Sequence, residues 1–87
     1  MTRPQVSVEV LGGDRYRVRI QSATEHEVTA TPAVLARVKK PGEDPEQTVA
    51  RAFAFLLDRE PPRAILRRFS LEDIATYFPN FWEAMTR

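Results

Sequence analysis

From Val6 onward apolar and polar positions alternate strictly, with Val6, Val8 and Val10 pointing one way and Ser7 and Glu9 the other. A period of two marks a half-buried strand. A polar lead at 1–5 precedes it. Gly12-Gly13-Asp14 supplies turn chemistry, and beyond it Tyr16, Val18 and Ile20 alternate with Arg15, Arg17 and Arg19. A slip of one residue would turn every apolar side chain to the wrong face, so the same pattern predicts the register. A loop at 12–14 pairs Val10 with Tyr16, Val8 with Val18 and Val6 with Ile20, and sets Glu9 against Arg17. A second loop at 22–24 pairs Ile20 with His26, Val18 with Val28 and Tyr16 with Ala30. On the outer face it sets Gln21 against Glu25 and Arg19 against Glu27. The expected sheet is a three-stranded antiparallel meander, about 6–11, 15–21 and 25–30, with the second strand central.

The pattern then changes to helical spacing. Thr31-Pro32 begins a short helix, because threonine caps well and proline is tolerated at the first position. Its inward residues are Val34, Leu35 and Val38, and the stretch 39–43, with its Pro-Gly turn, ends it and is the expected site of local mobility. Asp44-Pro45-Glu46-Gln47 is a strong start signal for a helix over about 45–59. Val49, Ala52, Phe53, Leu56 and Leu57 form its sheet-facing stripe. Phe55 falls about 160° from the centre of that stripe, among Thr48, Arg51 and Asp58. Either the C-terminal segment folds back over Phe55 or it belongs to an interface. Glu60-Pro61-Pro62 breaks the helix. Three short helices are then expected, at about 62–69, 71–78 and 80–86. The first turns Ile65, Leu66 and Phe69 inward and Arg63, Arg67 and Arg68 outward. The whole is an α+β domain whose C-terminal half is helical.

At 87 residues there is room for a single domain with one modest core. The chain is 43% hydrophobic and 29% charged, a globular balance. A formal net charge of +1 gives the molecule no general attraction to nucleic acid or anionic lipid. With no cysteine, thiolate metal sites, cysteine nucleophiles and disulfides are excluded. No apolar run approaches the length that spans a bilayer, and no charged-then-apolar segment opens the chain, so the expected location is the cytoplasm.

Three classes of function remain. In the first, Phe55, Tyr77, Phe81 and Trp82 contribute a patch that buries against another protein or a second copy of this chain, as a small interaction module or the accessory subunit of a larger assembly. In the second, 62–69 and 71–78 form a helix-turn-helix that places Arg59, Arg63, Arg67 and Arg68 on nucleic-acid phosphates, in the manner of an antitoxin-like regulator. Glu72 and Asp73 stand where such a helix would meet the bases, and the chain from Asp44 onward carries six arginines against seven acids. That balance favours the first class. The third class, an enzyme, has no glycine-rich phosphate loop, histidine pair or activated serine to carry it. His26, the only histidine, reads as a structural residue on an edge strand. The arginines of the second strand read as half of a solvated face completed by Glu9, Glu25 and Glu27. No catalytic residue, cofactor, metal, membrane or small-molecule ligand is expected.

Several runs carry a resemblance: Glu27-Val28-Thr29, Thr31-Pro32-Ala33-Val34-Leu35, Asp44-Pro45-Glu46 and, above all, Leu56 to Pro79 with its LLxREPxxxILRRFxLxxIxxYFP pattern. The chain resembles a group of small bacterial proteins of about this length. The resemblance implies a compact, stand-alone bacterial cytoplasmic protein, and it brings no activity, cofactor or site residues.

Overall fold

The computed structural model describes residues 5–21 and 23–87. The strands β1 (Val6–Gly12), β2 (Arg15–Ile20) and β3 (Thr24–Thr29) form the antiparallel meander. Helices α1 (Pro32–Val38) and α2 (Pro45–Leu57) follow, then β4 (Arg68–Ser70), α3 (Ile74–Tyr77) and α4 (Phe81–Thr86). Both central residues of the first turn have positive φ, Gly13 at 59° and Asp14 at 66°, and Gly12 at 91° forms the bulge beside them. This is the backbone that a tight hairpin with right-handed strand twist requires. Pairing of β1 with β2 follows the expected register from Val6 opposite Ile20 to Val10 opposite Tyr16.

Three expectations are corrected. The second loop closes one residue earlier than predicted, so Ile20 faces Thr24, Val18 faces His26 and Tyr16 faces Val28. A shift of two residues leaves every side chain on its predicted face, and the reason is that Gln21 takes a left-handed φ of 49° and turns the chain at once. Ser22 of the predicted loop, and 1–4 of the polar lead, lie outside the described residues. The second correction concerns 62–69. Only Pro62–Ala64 coils, as a single 3-10 turn, and Arg68–Ser70 is a fourth strand that runs parallel to β3. The sheet is therefore four-stranded and mixed, in the order β1-β2-β3-β4, and β3 is internal. The predicted 71–78 helix is a 3-10 turn at Leu71–Asp73 leading into the short α3.

One face of the sheet carries the core. Val18, Ile20 and Val28 meet Val49, Ala52 and Phe53 from α2, all fully buried. Asp44 caps α2 by accepting from the Gln47 N–H at 2.8 Å, while Gln47 returns the contact to the Asp44 N–H at 3.0 Å. The far side of α2 is covered in turn. Phe55 meets the rings of Phe78 and Phe81 edge-on, at centroid distances of 6.0 and 5.3 Å, and is only 8% exposed. So α2 is a middle layer between the sheet and the C-terminal elements.

The other face of the sheet is a charge ladder. Glu9, Arg17, Glu27 and Arg68 stand directly opposite one another across all four strands. Arg17 reaches Glu9 at 3.1 Å, and Arg19 reaches Glu25 at 2.8 Å. Alternating signs across strands suit a face open to water.

Candidate functional site

Where α2 ends, Pro61 is extended at φ −72° and ψ 159°, and one 3-10 turn carries the chain round to Ile65, which is extended again. Alternation over the next residues buries Ile65 and turns Leu66 out. Leu66 is 51% exposed. The chain then runs through β4, and at Ser70 it turns again, the Asp73 carboxylate accepting from the Ser70 N–H at 3.0 Å. This bond starts the coil that leads into α3. Tyr77, on the last turn of α3, is 66% exposed.

Between these segments lies a groove of about 360 Å³. Leu56, Ile65, Phe69, Ile74 and Phe78 make its floor, with Leu66 and Tyr77 beside it. Glu60 and Asp73 contribute the carboxylates of its rim. The floor is apolar because Leu56 near the end of α2, Phe69 of β4 and Ile74 of α3 all face it, and the chain breaks away from α2 at Pro61-Pro62.

The predicted interface residues separate. Tyr77 lies at this groove. Phe55 and Phe81 do not, since both are buried in the second core layer. Trp82 is half-buried, with its ring against Phe81 and the Arg37 guanidinium 3.8 Å from its centroid. The C-terminal segment does fold over Phe55, which answers the question its off-stripe position raised.

The predicted phosphate contacts separate as well. The Arg59 guanidinium sits 3.6 Å over the Phe55 ring and donates to the Phe55 carbonyl at 3.0 Å. Arg63 stands exposed on the 3-10 turn. Arg67 and Arg68 border a polar cleft on the open sheet face with Arg17, Glu25 and Glu27. Arg68 is also 3.9 Å from Glu27. With 68–70 in a strand, no helix precedes the turn at Ser70, and the helix-turn-helix geometry is not formed.

His26 is buried and internal, not on an edge as expected. Its Nδ1 lies 2.7 Å from the Leu66 carbonyl oxygen, which can only accept, so Nδ1 carries the proton. Nε2 then accepts from the Thr24 hydroxyl at 2.8 Å. Burial pushes the imidazole pKa below its ordinary value, opposed by the bond to Leu66 and assisted by the positive charge of Arg67. The neutral ring fastens the Leu66 end of the groove to β3.

Among the described residues no cluster of three or more His, Asp or Glu side chains could hold a metal ion, and no helix is long and apolar enough to cross a membrane. Compared with protein-family models, curated proteins and solved structures, the chain matches none.

Sequence reasoning missed Leu66 as a surface residue, because Ile65, Leu66 and Phe69 have the spacing of a helix face. A signal was present in the neighbouring residues. Pro61-Pro62 favours extended backbone before the run, and an extended run cannot bury both Ile65 and Leu66 on one face.

Proposed function

We propose that this chain is a non-enzymatic interaction module that seats an apolar side chain of another protein in the groove beside Leu66 and Tyr77. The observation that carries the reading is the exposure of those two large side chains on an otherwise apolar concavity. Fully burying an exposed leucine or aromatic side chain is worth about 1.5–3 kcal/mol each, and here two such residues stand together over a preformed apolar floor. Glu60 and Asp73 on the rim favour a partner segment with a lysine or arginine next to its apolar anchor.

The test is selection of displayed peptides on the intact chain, followed by mapping of the bound peptide through amide chemical shifts. Selected sequences with an aromatic or aliphatic anchor beside a base, and shifts centred on Ile65, Leu66, Phe69 and Tyr77, are expected. The double variant Leu66→Ser, Tyr77→Ser should bind at least tenfold more weakly while keeping its fold. Shifts centred elsewhere, or unchanged binding by the double variant, would overturn the reading.

A further inference from the structure

The two edges of the sheet are unlike. β4 has three residues, whereas β1 has seven. Natural edge strands are usually blunted by lysine, proline or shortness. β1 reads Val-Ser-Val-Glu-Val-Leu-Gly, with a single charge and one bulge at its far end.

The direction of its backbone groups follows from the ladder. The Gln5 carbonyl accepts from the Gln21 N–H at 2.8 Å, so Gln5 faces β2. By alternation Ser7 and Glu9 face β2 as well, and the N–H and C=O groups of Val6, Val8 and Val10 point away from the sheet. Among the described residues nothing pairs with them. Val10 is also 53% exposed, although its side chain lies on the face that carries the core.

We propose that β1 pairs antiparallel with the β1 strand of a second copy, about a two-fold axis at Val8, to form a continuous eight-stranded sheet. Val8 then faces the second copy's Val8, and Val6 faces its Val10. About six backbone hydrogen bonds close the seam, and Val10 gains an apolar neighbour. Charge and the bulge disfavour the registers toward the Gly12 end. An axis at Glu9 would oppose two carboxylates, and an axis at Val10 would run into the bulge at Gly12. With the axis at Val8, Glu9 faces the second copy's Ser7, and beyond that Ser7 stands Arg19. Each Glu9 thus lies between its own Arg17 and the other copy's Arg19, and the alternation of the open face continues across the seam. The groove, which includes Phe69 of β4, is at the opposite edge and takes no part.

Ser7 provides a register-specific test. Ser7→Glu sets a carboxylate opposite its own Arg19, which is harmless to the folded chain, and opposite the second copy's Glu9 at two symmetric places. Sedimentation equilibrium of the full chain at up to about 1 mM, the weakest association worth reading, should show a monomer and dimer equilibrium. Ser7→Glu should raise the dissociation constant roughly 2- to 30-fold without lowering the thermal midpoint of dilute samples, and Ser7→Lys should lower the dissociation constant even though the lysine, standing opposite its own Arg19, lowers that midpoint slightly. In hydrogen exchange the Val8 amide should become protected as concentration rises. A chain that stays monomeric throughout that range would overturn the proposal. So would a dimer indifferent to both substitutions, or one in which the Val8 amide still exchanges as an open one.

Discussion

Arg51 grips Glu43 with both ends of its fork, Nε to Oε2 at 2.8 Å and Nη2 to Oε1 at 2.8 Å. The same guanidinium donates to the Val38 carbonyl at 2.7 Å and to the Met85 carbonyl at 2.6 Å. One side chain on α2 therefore ties the end of α1, the loop that follows it and α4. Glu43 is satisfied in return by the Thr48 hydroxyl at 2.7 Å and the Lys40 N–H at 3.2 Å. The loop marked as the expected mobile segment is thus pinned at Glu43. Both side chains are largely shielded, so removing one leaves the other charge uncompensated. Arg51→Ala should cost about 3 kcal/mol in urea unfolding, and Arg51→Lys should recover less than half, because an ammonium cannot fork. A loss under 1 kcal/mol for Arg51→Ala would show that the knot is not a major source of stability.

Acid should dismantle the fold in two stages. The Arg51 guanidinium holds the Glu43 carboxyl at about 2, against an ordinary 4.5, with smaller help from Thr48 and Lys40 and in opposition to burial. Its folded pKa is depressed, so the stabilisation is complete above 4.5 and disappears as pH falls toward 2; integrated, it is about 3 kcal/mol. His26 acts earlier. Its folded pKa lies below the ordinary 6.5, so the unfolded chain takes up the proton first, and stability declines as pH falls below 6.5. Unfolding free energy should be flat near pH 7.5, slope down below 6.5 and steepen below 4.5. Glu43→Gln should remove most of the second slope, leaving the smaller share of Glu25, whose carboxyl the Arg19 hydrogen bond also holds below its ordinary value, and His26→Gln should remove the first. Slopes that survive these substitutions undiminished would assign the titration to other groups.

The parts of the fold that could be read in the sequence are those in which both faces of an element constrain one another. The first hairpin has valines, tyrosine and isoleucine on one face and Glu9 with Arg17 on the other, so a wrong register offends both. The helix start at Asp44 is equally legible, because Pro45 and Gln47 repeat its message. The β2 and β3 register was not, since Arg19 is satisfied by Glu25 or by Glu27 and the apolar face tolerates a shift of two. There the backbone of Gln21 decides. β4 was hidden for a different reason. Three residues are too few to display a period, and their parallel partner in β3 is remote in the chain. Arg51 lay on a helix face that looked solvent-exposed, although a phenylalanine on the same face already called for a covering layer. The groove inherits both failures, being made from β4 and from the layer that covers α2.

Phe55 tests that covering layer directly. Enclosed by Phe78, Phe81 and the Arg59 guanidinium, it should cost about 3–5 kcal/mol when cut to alanine, while Phe55→Leu should cost about 1–1.5 kcal/mol. Near-ultraviolet circular dichroism should report the disturbance at Trp82, whose ring lies tilted against Phe81. An alanine variant with nearly native stability would mean that the C-terminal layer is not closed over α2 in solution.

The second turn offers a gain in stability. Gln21 holds a φ of 49°, in the left-handed region where a residue with a β-carbon pays roughly 1–2 kcal/mol. Glycine removes that strain, but it also adds freedom to the unfolded chain worth about 0.5–1 kcal/mol. The difference predicts that Gln21→Gly stabilises the fold by about 0.5 kcal/mol. Gln21→Val, whose branched β-carbon fits the region worst, should destabilise it by more than 1 kcal/mol. Because Gln21 is exposed, neither change alters core packing, and the order glycine, glutamine, valine in thermal midpoint is a measurement of backbone strain alone. If valine proves as stable as glycine, the turn in solution does not use the left-handed conformation at Gln21, and the two-residue shift in the β2 and β3 register loses its cause.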